Sequence, residues 1–348
     1  MARSQLRLRA DHPDREARGR RGPADDHRAH ARRRASRGRG QSGRGGDRAE
    51  ATAAAFPPAP RRQEGRAEGR GAEEGRRGEA DDDEEEDGEG SSDLTHWKAR
   101  LAYDGTRYHG FQVQPNAPTV QGELERALGT ICAEPVRVIG AGRTDTGVHA
   151  SGQVVDFRTA STLGAAELGR GVNALLPEDI AVSALEPAEE SFHARYSATG
   201  RTYEYRIRNA AERDPLTRLG ELWIGARLDV GAMRAASAVI VGRMDFSAFA
   251  AGPGGLRTVR RAEWCADGAL LRFEITADAF LRGMVRGIVG TLLWVGRGTI
   301  DVAAFGRIAA SGDRSKAGPS APANGLCLVA VEYGTRRETG EDHDEADE

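Results

Sequence analysis

The chain is predicted to fold as α+β, with a largely antiparallel sheet in two similar halves and helices on the outer faces. Three observations carry this. Thr202 to Arg208 alternates, with Tyr203, Tyr205 and Ile207 on one side and Glu204, Arg206 and Arg208 on the other, as in a strand with one buried or ligand-lined face. Val120, Leu124, Leu128 and Ile131 recur at helical spacing behind Thr119, a plausible N-cap. Asp267-Gly268 joins Arg260–Cys265 to Leu270–Thr276 in the pattern of a hairpin. Helical and strand signals interleave along the chain, and hairpins appear among them.

Taken in order, residues 1–95 come before any of these elements. From Met1 to about Asp93 the chain is Arg, Gly, Ala, Asp and Glu, with almost nothing apolar to offset the entropy of ordering a backbone, and it is expected to be disordered. An Arg/Gly-rich part (Arg32, Arg33, Arg34, Arg37, Arg39) precedes an acidic run from Asp81 to Asp87. Such blocks are usually solvated tails, although a basic arm can add phosphate affinity.

Trp97 to Tyr103 then reads as the first strand, ended by Asp104-Gly105, and the Thr119-capped helix follows. Val136–Ile139 and Gln153–Phe157 read as strands, Ala165–Leu176 as a helix, and Ile180–Leu185 and Phe192–Ser197 as strands. After Thr202–Arg208 come a helix from Val230 to Val241, the hairpin, a long apolar helix from about Leu281 to Val295 carrying Arg282 and Arg286, and a last strand from Leu326 to Tyr333. The folded part divides into 96–200 and 201–335, and an acidic tail occupies 336–348.

Composition narrows the function classes. The net charge of -3 averages charged tails with the core and decides little. Cys132, Cys265 and Cys327 lie far apart, which supports neither a disulfide framework nor a zinc site and fits a reducing cytoplasm. No apolar run approaches the roughly 20 residues of a membrane span. Lys98 and Lys316 are the only lysines, so positive charge is carried by arginine, which suits bidentate phosphate contacts.

Gly142-Arg143-Thr144-Asp145-Thr146-Gly147-Val148-His149 is the strongest chemical signal. It falls between two strands, where a rigid scaffold can hold a loop for chemistry. Its glycines permit positive φ and close approach of a substrate, and it sets one carboxylate two residues from an arginine. By residues alone, a polar turn with a local Arg143–Asp145 ion pair is the plain alternative. Tyr203 can equally be core packing beside Tyr205, and Arg286 a solvated helix charge. Yet Arg286 interrupts an apolar helix, where an unpaired charge is costly.

The same loop resembles the active-site motif of the tRNA pseudouridine synthase A family. So do Tyr103-Asp104-Gly105-Thr106 with Tyr108, Gly110, Phe111 and Gln112; Phe192-His193-Ala194-Arg195-Tyr196-Ser197-Ala198 with Tyr203-Glu204-Tyr205; Phe280 to Gly290; and Gly325-Leu326. These five motifs stand in family order. The resemblance implies a pseudouridine synthase fold with a central basic cleft, and conversion of uridine to pseudouridine in tRNA without cofactor or metal. It implies Asp145 as nucleophile, attacking C1′ of the ribose or C6 of the base. Arg286 would pair with that carboxylate, Tyr203 would stack on the target uracil, and Arg143 would help extrude the nucleotide. The implied substrate is the anticodon arm at uridines 38 to 40 of tRNA, bound by a homodimer. His109, His149 and His193 are expected to be structural or phosphate contacts. Thr146 departs from the family's smaller residue, and Gly283 and Gly287 stand where polar or basic residues are common.

Two other readings compete. Asp145-Thr146-Gly147 is also the triplet of aspartic proteases, but those need two carboxylates sharing a proton, and Arg143 would spoil such a pair. An RNA-binding protein without activity is the second, and an assay of turnover separates it from an enzyme.

Overall fold

The computed structural model describes residues 94–334, so the expectations for residues 1–93 and 336–348 lie outside the described residues. Ten strands form one sheet in the order β4-β1-β3-β10-β5-β9-β8-β7, with β2 paired to β3 and β6 to β5. The strands of the first half are β1 (Thr95–Tyr103), β2 (Val138–Gly140), β3 (His149–Thr159) and β4 (Ile180–Pro187). The second half supplies β5 (Ala198–Asn209), β6 (Leu222–Ile224), β7 (Gly242–Asp245), β8 (Leu256–Asp267), β9 (Leu270–Ala277) and β10 (Leu326–Tyr333).

Most pairs are antiparallel, as the sequence suggests, but β10 runs parallel to β3 and β6 parallel to β5. The last strand does not extend the second half outward. It inserts between the halves, antiparallel to β5 on one side, and so closes the two into one continuous sheet.

The described residues form five α-helices, α1 (Val120–Cys132), α2 (Ala165–Leu175), α3 (Val230–Ala238), α4 (Met284–Gly296) and α5 (Val302–Ala310), the last packed on α3 and α4. Thr119 caps α1 as its sequence position predicts, its hydroxyl accepting from the Gly122 amide at 3.2 Å. Leu124 and Leu128 of α1, Leu168 and Val172 of α2, Met233 of α3 and Ile288 of α4 all join one hydrophobic core. The sheet feeds the same core with Trp97, Ala99 and Leu101, with Tyr205 and Ile207, and with Phe273 and Ile275. Burying each such large side chain contributes roughly 1.5–3 kcal/mol. The alternate residues Arg100, Ser151, Arg206, Arg261 and Glu263 are exposed, so the strands alternate as half-buried strands should.

Several boundaries differ from expectation. Phe192–Ser197 is not a strand but a tight turn, because side chains there take the backbone bonds a ladder would need. The His193 ring accepts from the Arg195 and Tyr196 amides, each at 3.1 Å, and the Ser197 hydroxyl accepts from the His193 amide at 3.0 Å. The Asp156 carboxylate of β3 takes the Ala194 amide at 2.7 Å. α4 starts at Met284, three residues after the predicted start at Leu281, with Gly283 as N-cap at φ 68°, so Arg282 stands outside the helix that carries Arg286. α3 ends at Ala238, before Val241, and β2 begins at Val138, after Val136. β6, β7 and α5 are additional to the sequence reading.

Candidate active site

The carboxylate of Asp145 stands on the bend that leads from β2 into β3, and the sheet register fixes what it faces. Ala150 of β3 pairs with Tyr103 of β1 and with Leu328 of β10, and Leu328 pairs in turn with Tyr203 of β5. The strand leaving the bend is thus tied through β10 to the strand that carries Tyr203. Insertion of the last strand between the halves is what brings these two residues into one site.

The bend is held at every turn. Its first carbonyls are taken at Ala141 by the Arg201 guanidinium, at 2.8 Å from Nη2, and at Gly142 by the Gln153 amide group at 2.6 Å. The Thr144 hydroxyl, buried, shares a hydrogen bond of 2.8 Å with the Tyr103 hydroxyl, and the Thr144 carbonyl accepts from the Phe111 amide at 3.1 Å. Burial pushes the Tyr103 hydroxyl's pKa well up, so it stays a neutral partner. After Asp145 the Gly147 amide donates to the Tyr108 carbonyl at 3.3 Å and the Val148 amide to the Asp145 carbonyl at 3.1 Å. Of the two glycines flanking Asp145, Gly147 uses its freedom, with φ at 77°. The motif from Tyr103 to Gln112 therefore works as a brace for the bend.

Asp145, Arg143, Tyr203 and Arg286 all line one cavity of about 380 Å³, a size suited to a small ligand or a single extruded base. The Arg286 Nη1 lies 3.4 Å from Asp145 Oδ2, and its Nε donates to the Ala321 carbonyl at 2.8 Å, so the guanidinium is oriented from both ends. The pair is partly open, with side-chain exposures of 24% for Arg286 and 33% for Asp145, which leaves the carboxylate reachable by a substrate. A purely local turn, the plain alternative for this loop, does not account for the site, since Asp145 pairs with an arginine that α4 brings from the other half of the chain.

Tyr203 is 8% exposed and packs edge-on against Phe280, ring centroids 5.1 Å apart. Burial raises its hydroxyl pKa, and the nearby Asp145 charge adds to the rise. Tyr205 divides from it cleanly. It is fully buried, donates to the Pro322 carbonyl at 2.8 Å and does not line the cavity. Tyr203 is thus a largely buried residue with one side on the cavity.

Six arginines line this cavity (143, 195, 201, 257, 282 and 286) against a single carboxylate, Asp145. A polyanion would be drawn to such a surface. A second, more open hollow of about 510 Å³ shares Arg143, Asp145, Arg282 and Arg286 and adds Gln112 and Gln114, so the bend divides two parts of one cleft. Asp145 pairs with a cation, Arg286, which works against the proton shared between two carboxylates that an aspartic protease needs.

His149 is bound into the frame, its Nε2 donating to the Leu219 carbonyl at 2.8 Å and its Nδ1 accepting from the Gly105 amide at 3.1 Å. Neither His149 nor His193 lines the cavity. The sequence reading missed Tyr103, Gln153 and Arg201 as supports of the bend. Gly283 and Gly287, which depart from the family pattern, have a local reason. An added Cβ at Gly287 would sit 2.4 Å from the Phe249 carbonyl oxygen, and one at Gly283 would sit 2.9 Å from the Ala251 Cβ.

A family model described as tRNA pseudouridine synthase matches residues 99–197 and 236–334, one segment in each half of the sheet. Arg201 and Tyr203 fall between the two segments. The tRNA pseudouridine synthase A of Neisseria gonorrhoeae is 44% identical over 242 residues, covering 68% of this chain and 91% of that protein. That of Chloroflexus aurantiacus is 47% identical over 241 residues, covering 67% and 87%, and that of Geobacillus kaustophilus 42% identical over 241 residues, covering 68% and 93%. With both halves of the sheet matched, and the bend, its arginine partner and the β10 insertion all inside the matched residues, the chain belongs to the tRNA pseudouridine synthase family.

Proposed function

We propose that this enzyme isomerises uridine to pseudouridine in tRNA with Asp145 as nucleophile. The observation that supports it most is the contact of Asp145 with Arg286 at 3.4 Å, beside Tyr203, in a cavity whose other charged lining residues are all arginines.

The chemistry needs little more. The C1′–N1 bond breaks, the uracil turns, and a C1′–C5 bond forms; N1 gains a proton and C5 loses one. No electrons are gained or lost, so no redox partner is required, and one carboxylate that adds to C1′ or C6 and later leaves completes the cycle. Tyr203 stacks on the uracil while it turns. Arg286 holds the carboxylate's direction, and Arg143, on the bend, enters the RNA helix where the nucleotide leaves it. A half-enclosed cavity keeps water from the reactive sugar.

The finer reading rests on the family: uridines 38 to 40 of the anticodon arm, a homodimer holding one RNA, and a cytoplasmic location. Among the described residues no helix is long and apolar enough to cross a membrane. A light-scattering mass of one chain in the tRNA complex would rule the homodimer out.

The test is conversion of an unmodified tRNA transcript. Wild type should form pseudouridine, and mapping it outside the anticodon arm would overturn the site but leave the reaction. Asp145→Asn should bind tRNA within about threefold of wild type and lose at least ~10⁴-fold in rate, on the order of 5 kcal/mol. Turnover by that variant would disprove the nucleophile.

A further inference from the structure

Arg201 lies on β5, two residues before Tyr203 and on the same face, and it lines the cavity. An arginine has five N–H donors in a fixed plane, and here every one is spent on a backbone carbonyl. Nε and Nη2 both donate to Ala141 O, at 3.2 and 2.8 Å. Nη1 donates to Ala198 O at 3.3 Å and Asp278 O at 2.9 Å, and the remaining Nη2 hydrogen goes to Arg195 O at 2.8 Å.

These carbonyls belong to separate parts of the site. Ala141 opens the bend that carries Asp145. Arg195 belongs to the tight turn at the cavity rim, Ala198 starts β5, and Asp278 follows β9 where the chain turns toward Phe280. Phe280 is the ring that abuts Tyr203. One planar group therefore ties the root of the bend to the start of the strand that carries Tyr203 and to the segment that props Tyr203.

Its charge is handled unusually. None of the ion pairs described for residues 94–334 includes Arg201. Partial burial lowers its pKa below the ordinary arginine value. A half-buried cation hydrogen-bonded only to carbonyls is a poor choice for stability alone, since an apolar side chain would avoid the desolvation. It is a good choice for fixing direction, because a guanidinium makes its five bonds in one geometry only.

We propose that Arg201 is a positioning residue for the isomerisation, setting the bend that carries Asp145 against the strand that carries Tyr203. It does so without touching the RNA, because no donor is left for a phosphate. This rests on the reading of Asp145 as nucleophile.

The experiment is single-turnover conversion of tRNA transcript by wild type, Arg201→Lys and Arg201→Ala, with rate, amplitude and tRNA affinity measured separately. Wild-type conversion tests the proposed function itself, and its absence would be a failure of that reading alone. For both variants the rate constant should fall by at least ~30-fold with amplitude near that of wild type and Kd within about threefold. Lysine should not rescue the rate, because it keeps the charge but cannot bridge the carbonyls. Millimolar methylguanidinium should restore part of the rate of Arg201→Ala and none of Arg201→Lys.

The proposal is overturned if the loss appears in amplitude with the rate constant unchanged, which is a folding role. It is equally overturned if Kd weakens with a shallower salt dependence, by about one phosphate contact, or if lysine restores the rate. Should Arg201→Ala not fold, the rate and amplitude of Arg201→Lys decide the matter.

Discussion

Tyr203 meets its surroundings through its ring. No hydrogen bond of its hydroxyl is found among the described residues, while the ring packs edge-on to Phe280 at 5.1 Å. Burial and the nearby Asp145 charge raise the hydroxyl's pKa, which disfavours the phenolate that a base would need. A stacking role then predicts that Tyr203→Phe keeps kcat/KM within about threefold, whereas Tyr203→Leu loses roughly 5- to 150-fold, the equivalent of about 1–3 kcal/mol. Steady-state kinetics on tRNA transcript would show it, and a phenylalanine variant as impaired as the leucine one would mean that the hydroxyl matters. That Asp145 and Arg143 share one cavity was legible in the sequence because they stand on one contiguous bend. Arg201 was not, since the partners that tie the site together lie 60 and 77 positions away and all its bonds are to backbone carbonyls, which leave no trace in side-chain pattern.

Element by element, the local signals that worked were those with a local cause: the Thr119 cap, the Asp267-Gly268 turn and the alternation of β5. Phe192–Ser197 misled because its apolar and aromatic residues mimic a strand while His193, Ser197 and Asp156 capture its amides. α5 carried a usable signal in Asp301, whose carboxylate accepts from the Ala304 amide at 2.6 Å, with Phe305 and Ala309 one turn apart. α4 shows what an element demands of its neighbours. Its first turn carries Arg286, and Gly287 lets it approach the Phe249 carbonyl so closely that no side chain fits. Gly287→Ala is therefore expected to be unfavourable despite alanine's better helix propensity. It should destabilise the fold by about 1–3 kcal/mol as α4 is pushed outward, read from urea unfolding. A gain in stability would show that the segment around Phe249 yields freely.

At the scale of the whole molecule, the parallel pairing of β10 with β3 had no sequence signature, because nothing in Leu326–Tyr333 says which of two partners its edges will meet. That pairing nevertheless shapes the cavity, so its lining residues come from both parts of the sheet and the proposed catalytic unit cannot be smaller than the sheet. It need not be much larger. The braces of the bend and the cavity lining fall between Tyr103 and Leu326, and the family match ends at residue 334, with residues 1–98 outside it. The relatives reach 87–93% of their own length within 241–242 residues of this chain. A chain beginning at residue 94 is thus expected to keep kcat within about twofold. The opposing case is that the Arg/Gly-rich segment lends affinity through counterion release. Truncation would then flatten the slope of log Kd against log salt by roughly 0.7–0.9 for every phosphate the segment had neutralised. Blocks of like charge act mostly as solvated tails, and the acidic run from Asp81 to Asp87 offsets the charge of the arginines before it. The slope is accordingly expected to change by less than the equivalent of about one phosphate. A truncated enzyme whose slope drops by several times that amount, at unchanged kcat, would identify residues 1–93 as a tRNA-recruiting arm.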